Sequence, residues 1–328
     1  MSQDSSKPLS HIAVLGAGAW GTALAVAAMA AGRKTTWWVR EADVLADITS
    51  GRSNRFLPGV ALPQGLVATG DLAQAAQADA LLLVVPAQAL QAFAASLKPH
   101  LRPGQPLVIC AKGIEKGTGK LVTEVAAEAL PGASLAILSG PSFARDVAQG
   151  LPTAVTIAAK GALAAQLQES LGSASFRPYA SDDLTGVALG GAAKNVYAIA
   201  CGVVEGMGLG ENARAALLAR SFAELSRLGE ALGARRETLM GLSGLGDLVL
   251  TATSTSSRNF SFGAALGAGT APAGALAEGV DTAPAVVARA RVVGVEMPIA
   301  EAMADLLSGA LPLGEAVMRL MRRKLTVE

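Results

Sequence analysis

The chain of 328 residues is 51% hydrophobic and only 16% charged, with a formal net charge of +1. Such a composition is typical of a well-packed globular protein and excludes a disordered or fibrous one. A net charge near zero gives nucleic acid no general attraction, so we expect no nucleic-acid partner, and any bound anion needs a local cluster of charge. The length is comfortable for two domains.

The thiols and imidazoles of the sequence offer little chemistry. Cys110 and Cys201 lie in apolar runs without metal-binding spacing, which predicts reduced, buried thiols of a cytoplasmic protein and no metal site. His11 opens a predicted strand and His100 lies in a polar turn, so neither is placed as a catalytic base. An acid–base enzyme with this sequence must therefore work without histidine.

One uncharged segment could be mistaken for a membrane span. The 21 residues from Ile12 to Gly32 carry no charge, which is long enough to cross a bilayer and faintly resembles a signal peptide. Glycines at positions 16, 18 and 21 interrupt the segment where its pattern changes from strand to helix. We therefore expect no membrane span there.

In chain order, the first half alternates short apolar runs with helical patterns. The runs that predict buried strands are 11–16, 35–40, 80–86, 106–113, 135–140 and 153–159, and helical segments such as 21–31 and 119–130 lie between them. Buried strands separated by helices predict an α/β domain with a doubly wound, mostly parallel sheet.

Near Ser181 the pattern changes to helices. The predicted helices are 184–204, 212–232, 284–293, 299–308 and 314–324, whereas the Gly/Ala-rich stretch 263–279 lacks a clear period. We predict an α/β domain over residues 1–180 and an all-α domain over residues 181–328.

The sequence 16-GAGAWG-21 follows the first strand and opens a helix. In a dinucleotide site Gly16 permits the tight turn, Gly18 lets the backbone approach a pyrophosphate, and Gly21 lets helix and strand pack closely. The alternative is a purely structural glycine turn. The position of the motif, directly after the first strand of a doubly wound pattern, favours the dinucleotide site.

Arg40 follows the second strand, where an NAD-specific site usually has Asp or Glu. An arginine there could meet the 2′-phosphate of NADP. It could also be an ordinary surface residue beside Glu41, so the sequence leaves NAD and NADP open.

One lysine lies in an apolar, glycine-rich run, 189-LGGAAKNVYA-198. If Asp182 or Asp183 caps the helix, Lys194 falls on one face with the apolar residues, with an open groove at Gly190 and Gly191. Desolvation lowers the pKa of an amine and suits it to proton transfer near neutral pH. The alternative is a lysine that snorkels to water.

Three more motifs follow predicted buried segments or glycine turns. Lys112 in AKGIE and Ser142 in SGPSFA end strands, where ligands of open α/β sheets gather. Asp247 in GLGDLVLT is either a helix cap or the partner of a lysine. Arg258 and Asn259 lie in 251-TATSTSSRNF-260, which composition makes a flexible loop, and arginine is well suited to bind a phosphate.

Taken together, these motifs resemble one family, the bacterial NAD(P)-dependent glycerol-3-phosphate dehydrogenases. The resemblance covers nearly the whole chain, in the order GAGAWGTALA, NRFLPGVALP, AKGIE, SGPSFA, GGAAKN, GLGDLVLT, SRN and VEMPI. It implies a Rossmann domain followed by an all-helical domain, a homodimer, and NADP(H) or NAD(H) as cofactor. It also implies reduction of dihydroxyacetone phosphate to sn-glycerol 3-phosphate, a precursor of glycerophospholipids.

The resemblance assigns the site residue by residue. It makes Lys194 the catalytic acid/base and implies substrate contacts at Lys112, Gly140, Ser142, Lys194, Asp247, Ser257, Arg258 and Asn259. It implies cofactor contacts at Gly16, Gly18, Ala19, Trp20, Gly21, Arg40, Lys112, Ala144, Arg258, Leu276 and Glu278.

The stretch 275-ALAEGVDTA-283 departs from the family pattern. The family usually has an apolar pair before the glutamate and a basic residue three positions after it, where this chain has Leu276 and Asp281. The departure bears on Glu278 and on cofactor preference.

Two other functions fit part of the sequence. A reductase of a 3-hydroxy acid or of ketopantoate would share GAGAWG and an interhelical lysine but has no need of the SRN motif, so a substrate screen separates it. A non-catalytic nucleotide sensor would keep GAGAWG without a use for a buried lysine, and a turnover assay with NADPH decides that case.

Overall fold

A computed structural model describes residues 7–51, 53–270 and 277–321. The chain divides into two compact units. Unit 1 contains the residues up to Lys112 and Val122–Ala188, and unit 2 contains Gly113–Leu121 and the residues from Leu189 onward.

Unit 1 is built on an eight-stranded sheet. Its strands are β1 (His11–Leu15), β2 (Lys34–Trp38), β3 (Val67–Thr69), β4 (Ala80–Leu83), β5 (Pro106–Ile109), β6 (Ser134–Ser139), β7 (Thr153–Ala159) and β8 (Phe176–Ser181). The strand order is β3-β2-β1-β4-β5-β6-β7-β8, and only the β6–β7 pair is antiparallel. The order reverses between β1 and β4, and open α/β sheets bind ligands at the carboxyl ends of the strands beside such a reversal.

The helices of unit 1 cover the apolar strands of the sheet. They are α1 (Ala19–Ala30), α2 (Ala42–Gly51), α3 (Leu72–Ala75), α4 (Leu90–Leu97), α5 (Val122–Ala129), α6 (Ala144–Ala148) and α7 (Leu163–Leu171). All four residues of β4 are buried, as are four of the five residues of β1. Strands without an alternating exposed face must be covered on both sides, which explains the layered architecture.

The predicted doubly wound α/β fold, followed by a helical region, is confirmed. All six predicted strands are present, but β4 and β5 end several residues before the predicted limits. β3 and β8 were not predicted. β3 has three residues, and β8 is an edge strand that contains Pro178 and alternates buried with exposed residues. Proline is tolerated at an edge because one side of the strand needs no hydrogen-bond donor.

Unit 2 is helical. It continues α8 (Leu184–Gly206) and adds α9 (Glu211–Ala231), α10 (Arg236–Met240), a π-helical turn (Leu242–Gly246), α11 (Asp247–Ala252), α12 (Arg258–Gly267), α13 (Glu278–Val292), α14 (Pro298–Leu307) and α15 (Leu313–Met321). The predicted helix 284–293 is therefore the second part of a longer helix that contains Pro284.

Helix α8 is buried around its whole circumference from residue 186 to residue 204. It is long and apolar enough to cross a membrane, but 94% of its most apolar window is buried within the protein, as in the core helix of a globular fold. The face on which the sequence placed Lys194 is buried as predicted, and the other faces of the helix are covered as well along this stretch.

Reciprocal glycine contacts join α8 to α12. A Cβ atom added at Gly202 would lie 2.1 Å from the carbonyl oxygen of Phe260, and one added at Gly263 would lie 2.0 Å from that of Ile199. The two backbones therefore touch. The predicted flexible loop 251–260 is wrong in part, because α12 begins at Arg258. The Gly/Ala-rich stretch that begins at residue 263 continues this helix to Gly267, and Gly263 serves helix contact and not chain flexibility.

Candidate active site

The β1–α1 turn of unit 1 holds two of the three glycines of GAGAWG, Gly16 and Gly21, in a geometry that other residues would disrupt. Gly16 has φ of +128°, and a Cβ there would lie 2.3 Å from the carbonyl oxygen of Val84. A Cβ at Gly21 would lie 2.0 Å from the carbonyl oxygen of Gly16, so α1 passes directly over the turn. The second glycine differs, since a Cβ at Gly18 would meet nothing within 4 Å.

This turn fits the phosphates of a dinucleotide. Gly18 is the N-cap of α1 and supplies no capping side chain, so the helix N-terminus at Ala19 keeps its positive end for an anion. The open space at Gly18 lets a ligand approach the backbone. Beside it, the buried indole nitrogen of Trp20 has no hydrogen-bond partner among the described residues. These features are compatible with the cofactor contacts expected at the turn, which stay a prediction.

Arg40 lies two residues beyond the end of β2, the strand next to β1 in the sheet. Its side chain is 75% exposed and donates to one carboxylate oxygen of Glu41, over 2.9 Å from Nε and 2.6 Å from Nη2. An exposed ion pair of this kind contributes only about 0.2–1 kcal/mol, so it is readily exchanged for a phosphate.

Lys112 and the SGPSFA segment meet at one carbonyl group in unit 1. Gly140 follows β6 and has φ of +151°, and its carbonyl oxygen accepts from Nζ of Lys112 at 3.0 Å and from Oγ of Ser142 at 2.9 Å. Ala144 begins the short helix α6 immediately after. The structure thus brings three of the predicted substrate residues together at the carboxyl ends of β5 and β6.

Lys194 of α8 is only 7% exposed, so it does not snorkel to water. Its ammonium nitrogen donates to Oδ1 of Asp247 at 2.5 Å and to Oγ1 of Thr251 at 2.9 Å. Asp247 and Thr251 are one turn apart on α11 and are 1% and 4% exposed. The carboxylate stabilises the protonated amine, the form that can donate a proton to a developing alkoxide.

Contacts at the starts of α8 and α11 decide two alternatives that the sequence left open, namely which aspartate caps α8 and what Asp247 does. Asp183 is the residue that caps α8, since its Oδ1 accepts from the backbone N–H of Gly186 at 2.8 Å. Asp247 is the first residue of α11, whose N-cap is Gly246, and it pairs with the lysine. The open groove expected at Gly190 is absent, because a Cβ there would lie 2.6 Å from the carbonyl oxygen of Ser243 in the π-helical turn.

The predicted phosphate-binding residues begin α12. The hydroxyl of Ser257 caps this helix by accepting from the N–H of Phe260 at 3.2 Å. Arg258 is exposed, and its side chain makes no hydrogen bond or ion pair with any described residue. A guanidinium at the surface without an internal partner is available for an anionic ligand.

Asn259 is buried and links three helices. Its Nδ2 donates to Oδ1 of Asn195 on α8 at 3.0 Å, and its Oδ1 accepts from the N–H of Gly279 on α13 at 2.9 Å. Asn195 in turn donates to Oε2 of Glu278 at 3.3 Å. The structure therefore joins Glu278, the first residue of α13, to the residues beside Lys194 and Arg258.

Leu276, a predicted cofactor contact, lies outside the described residues. Within the ranges that the structure describes, no group of three or more His, Cys, Asp or Glu side chains could hold a metal ion.

Three residues that lie in the sequence motifs have contacts that the sequence did not predict. Thr251 completes the lysine pair, Asn195 joins α8 to α12, and Asn54 supports the glycine turn, donating from Nδ2 to the carbonyl oxygen of Ala17 at 2.8 Å. A four-residue spacing on one helix could have linked Thr251 to Asp247. The other two contacts join residues far apart in the chain, and no local signal predicts them.

Known proteins resemble this chain over almost its full length. Residues 11–165 match the model of the N-terminus of NAD-dependent glycerol-3-phosphate dehydrogenase, and residues 183–318 match that of its C-terminus. A glycerol-3-phosphate dehydrogenase (NAD(P)+) of Bradyrhizobium sp. strain BTAi1 is 58% identical over 319 residues, which cover 97% of this chain and 98% of the relative. The crystal structure of glycerol-3-phosphate dehydrogenase from Coxiella burnetii is 39% identical, with a TM-score of 0.91, and the match covers 96% of this chain and 99% of that one.

The alternative function, reduction of ketopantoate, is represented by a solved structure that is less similar to this chain. A ketopantoate reductase of the PanE/ApbA family from Ralstonia eutropha JMP134 is 14% identical with a TM-score of 0.58, over 94% of this chain and 99% of that one, which indicates a shared fold alone. Both halves of the chain instead match the other family at the level of sequence. The chain belongs to the NAD-dependent glycerol-3-phosphate dehydrogenase family.

Proposed function

We propose that this chain is an NAD(P)-dependent oxidoreductase that acts on a CH–OH group and reduces dihydroxyacetone phosphate to sn-glycerol 3-phosphate. One observation carries the chemistry: Lys194 is the only charged residue between positions 186 and 204 of a fully buried helix, and its amine is held by Asp247 and Thr251. Family membership supports the substrate, and the interactions of Lys194 support the chemistry.

The catalytic role of Lys194 follows from charge. When bound, NAD(P)H supplies the hydride that reduces the carbonyl carbon of the substrate. The carbonyl oxygen gains negative charge as its carbon is reduced, and Lys194 donates the proton that neutralises it. Asp247 and Thr251 orient the amine, and Asp247 offsets the cost of holding a cation in a buried position.

We assign the substrate phosphate to the N-terminus of α12. Arg258 has no partner among the described residues, and a guanidinium forms two charge-assisted hydrogen bonds to one phosphate. Ser257 and Asn259 flank it and are the other proposed phosphate-side contacts. In unit 1, Lys112, Gly140 and Ser142 are proposed substrate contacts on the strength of the family resemblance.

We assign the cofactor to the glycine turn of unit 1, with Arg40, Lys112 and Ala144 as further contacts, and to Arg258, Leu276 and Glu278. The uncapped N-terminus of α1 and the indole nitrogen of Trp20 support this assignment. The proposed domains are a cofactor-binding domain over residues 1–180 and a substrate-binding domain over residues 181–328. The limits of the two family models support this division.

Three further properties are proposed. Family resemblance supports a homodimer and a role in supplying glycerophospholipid synthesis. A cytoplasmic location is supported by the free, buried thiols of Cys110 and Cys201. Burial raises the pKa of both thiols, that of Cys201 to about 12, so neither is reactive at neutral pH.

Steady-state kinetics with the purified chain test the proposal. Oxidation of NADH and of NADPH is followed at the absorbance of the reduced nicotinamide, with dihydroxyacetone phosphate, ketopantoate or a 3-keto acid as substrate. We expect turnover with dihydroxyacetone phosphate alone. Faster turnover with ketopantoate or the 3-keto acid would identify a different reductase, and binding of NADPH without turnover of any substrate would indicate a sensor.

A further inference from the structure

We propose that Asn54 is a positioning residue of the cofactor site, which orients the backbone N–H groups of the glycine turn toward the pyrophosphate of the dinucleotide. The inference rests on the proposed function, because it presumes that the turn binds NAD(P)H. It concerns a residue 37 positions after Ala17 in the chain, on the segment that follows α2.

The carboxamide of Asn54 is buried, with 1% of the residue exposed, and all of its hydrogen-bonding groups are used. Its Nδ2 donates to the carbonyl oxygen of Ala17 at 2.8 Å and to Oγ1 of Thr22 at 2.9 Å. Its Oδ1 accepts from the N–H of Phe56 at 3.0 Å. The opposite amide orientation would place an acceptor against the carbonyl of Ala17, so these contacts fix the group in one orientation.

Three successive carbonyl groups of the turn accept hydrogen bonds from other residues of unit 1. That of Gly16 accepts from Nε1 of the fully buried Trp37 at 2.9 Å, and that of Ala17 accepts from Asn54. That of Gly18 accepts from both the backbone N–H and the hydroxyl of Thr22, each at 3.0 Å.

The direction of the N–H groups follows from the planarity of the peptide. In a trans peptide the N–H points opposite to the C=O of the preceding residue. Holding the carbonyl of Ala17 inward therefore directs the N–H of Gly18 outward, and holding that of Gly18 directs the N–H of Ala19 outward. Outward-directed N–H groups at a helix N-terminus form an anion site.

Asn54 is the member of this set that comes from outside the β1–α1–β2 unit. Its segment is anchored again where Nη2 of Arg145 on α6 donates to the carbonyl oxygen of Pro58 at 3.1 Å. Hydrogen bonds therefore attach the segment to unit 1 at two places, at the glycine turn through Asn54 and at α6 through Pro58. Asn54 also receives no assignment from the family resemblance, so the geometry alone carries its role.

Asn54→Ala tests the proposal, with the exposed Asn212→Ala on α9 as the matched control. Loss of oriented N–H groups to a charged pyrophosphate is expected to raise the KM and Kd for NADPH about 10- to 100-fold. The KM for dihydroxyacetone phosphate and kcat at saturating NADPH should change less than about threefold, because the effect is confined to cofactor binding. Asn212→Ala should match the wild type.

Two further variants separate the donor from the acceptor role. Asn54→Asp keeps the acceptor for Phe56 but sets an oxygen against the carbonyl of Ala17, so it should bind NADPH no better than Asn54→Ala. Thr22→Val removes the hydroxyl that lies between Asn54 and Gly18, and a smaller loss in the same direction is expected. Wild-type affinity in Asn54→Asp would overturn the proposal.

Reduced nicotinamide mononucleotide, which lacks the pyrophosphate bridge, separates positioning from folding. The kcat/KM for this cofactor should be the same in Asn54→Ala and in the wild type, whereas that for NADPH should fall. Equal losses with both cofactors would show a purely structural role for Asn54. Failure of the proposed function is a separate result, because it would appear as an inactive wild type whose NADPH affinity, measured by tryptophan fluorescence, still depends on Asn54.

Discussion

The amine of Lys194 lies 2.5 Å from Oδ1 of Asp247, and neither side chain is more than 9% exposed. Thr251 completes the arrangement at 2.9 Å from the same amine. A buried cation with a buried anion is tolerated because each offsets the desolvation of the other. The pair places an ammonium group in a helix that is otherwise entirely uncharged between residues 186 and 204.

Replacement of the proposed proton donor is the first prediction. Lys194→Ala should lower kcat by about 10²- to 10⁴-fold, the usual contribution of a positioned acid or base, with little change in NADPH affinity. Steady-state kinetics and fluorescence titration measure the two quantities. The exposed Lys160→Ala is the control and should keep normal kcat. Near-normal turnover in Lys194→Ala would contradict the assignment.

The second prediction concerns stability. Lys194→Met alone leaves the carboxylate of Asp247 buried without its cation and should destabilise the protein by about 3–5 kcal/mol. The double variant Lys194→Met/Asp247→Leu removes both charges, so most of that loss should be recovered while kcat stays as low as in Lys194→Met. Urea unfolding measures the free energies. A double variant as unstable as the sum of the two single variants would show that the pair is not coupled.

Arg258 provides the third prediction. In the proposed substrate site, loss of its guanidinium removes two charge-assisted hydrogen bonds to the phosphate, so Arg258→Ala should lower kcat/KM for dihydroxyacetone phosphate by about 10- to 10³-fold. Arg258→Lys should restore only part of the loss, because an ammonium lacks the planar fork.

Dihydroxyacetone, which has no phosphate, is the control substrate for Arg258. Measured at saturating NADPH, because Arg258 is also a proposed cofactor contact, its slow reduction by the wild type should be nearly the same in Arg258→Ala. If both substrates lose activity by one common factor, Arg258 serves the cofactor or the fold.

The fourth prediction concerns cofactor choice. In the proposed cofactor site Arg40 exchanges a weak, exposed pair with Glu41 for the 2′-phosphate, so Arg40→Ala should raise the KM for NADPH about tenfold or more and leave that for NADH nearly unchanged. Glu41→Gln frees the same guanidinium and should lower the KM for NADPH. Parallel losses with both cofactors in Arg40→Ala would indicate a structural role.

The fifth prediction concerns the contact between α8 and α12. Gly263→Ala forces a methyl group to within 2.0 Å of the carbonyl oxygen of Ile199, so the helices must separate. We expect a loss of about 1–3 kcal/mol or more in stability from overpacking. A fall in kcat/KM should accompany it, because Arg258 begins the displaced helix. Cofactor affinity should fall as well, because Arg258 is also a proposed cofactor contact.

Gly314→Ala is the matched control for that substitution. Gly314 also lies in a helix, α15, but a Cβ there meets nothing within 4 Å, so alanine should be neutral or slightly stabilising. Thermal unfolding of the two variants side by side distinguishes backbone contact from a general effect of alanine. Equal midpoints would contradict the contact.

The sequence determined the layered α/β fold and the place of the glycine turn. Apolar runs such as ALLL in β4 have no exposed face, and this pattern admits few architectures other than a covered, mostly parallel sheet. The turn of GAGAWG is equally local, since the steric freedom of Gly16 and Gly21 is a property of the residues themselves.

The sequence did not determine the partners of the site residues. Asp247 is 53 positions from Lys194, Asn259 is 64 positions from Asn195, and Asn54 is 37 positions from Ala17. A hydrogen bond between residues so far apart depends on how helices and loops pack, and periodicity reports only neighbours within one element. For the same reason the Gly/Ala-rich stretch that begins at residue 263 showed no clear period in the sequence, although Gly263 and Gly267 are points of backbone contact on α12.

Burial of Lys194 shows the division most clearly. The helical pattern placed it among apolar residues but left snorkelling and burial as equal alternatives, because a helix alone does not show how many of its faces are covered. Only the tertiary structure decided, since it leaves α8 without an exposed face from residue 186 to residue 204 and brings Asp247 of α11 to the lysine. A buried ammonium requires an anion, and no local pattern shows which distant carboxylate supplies it.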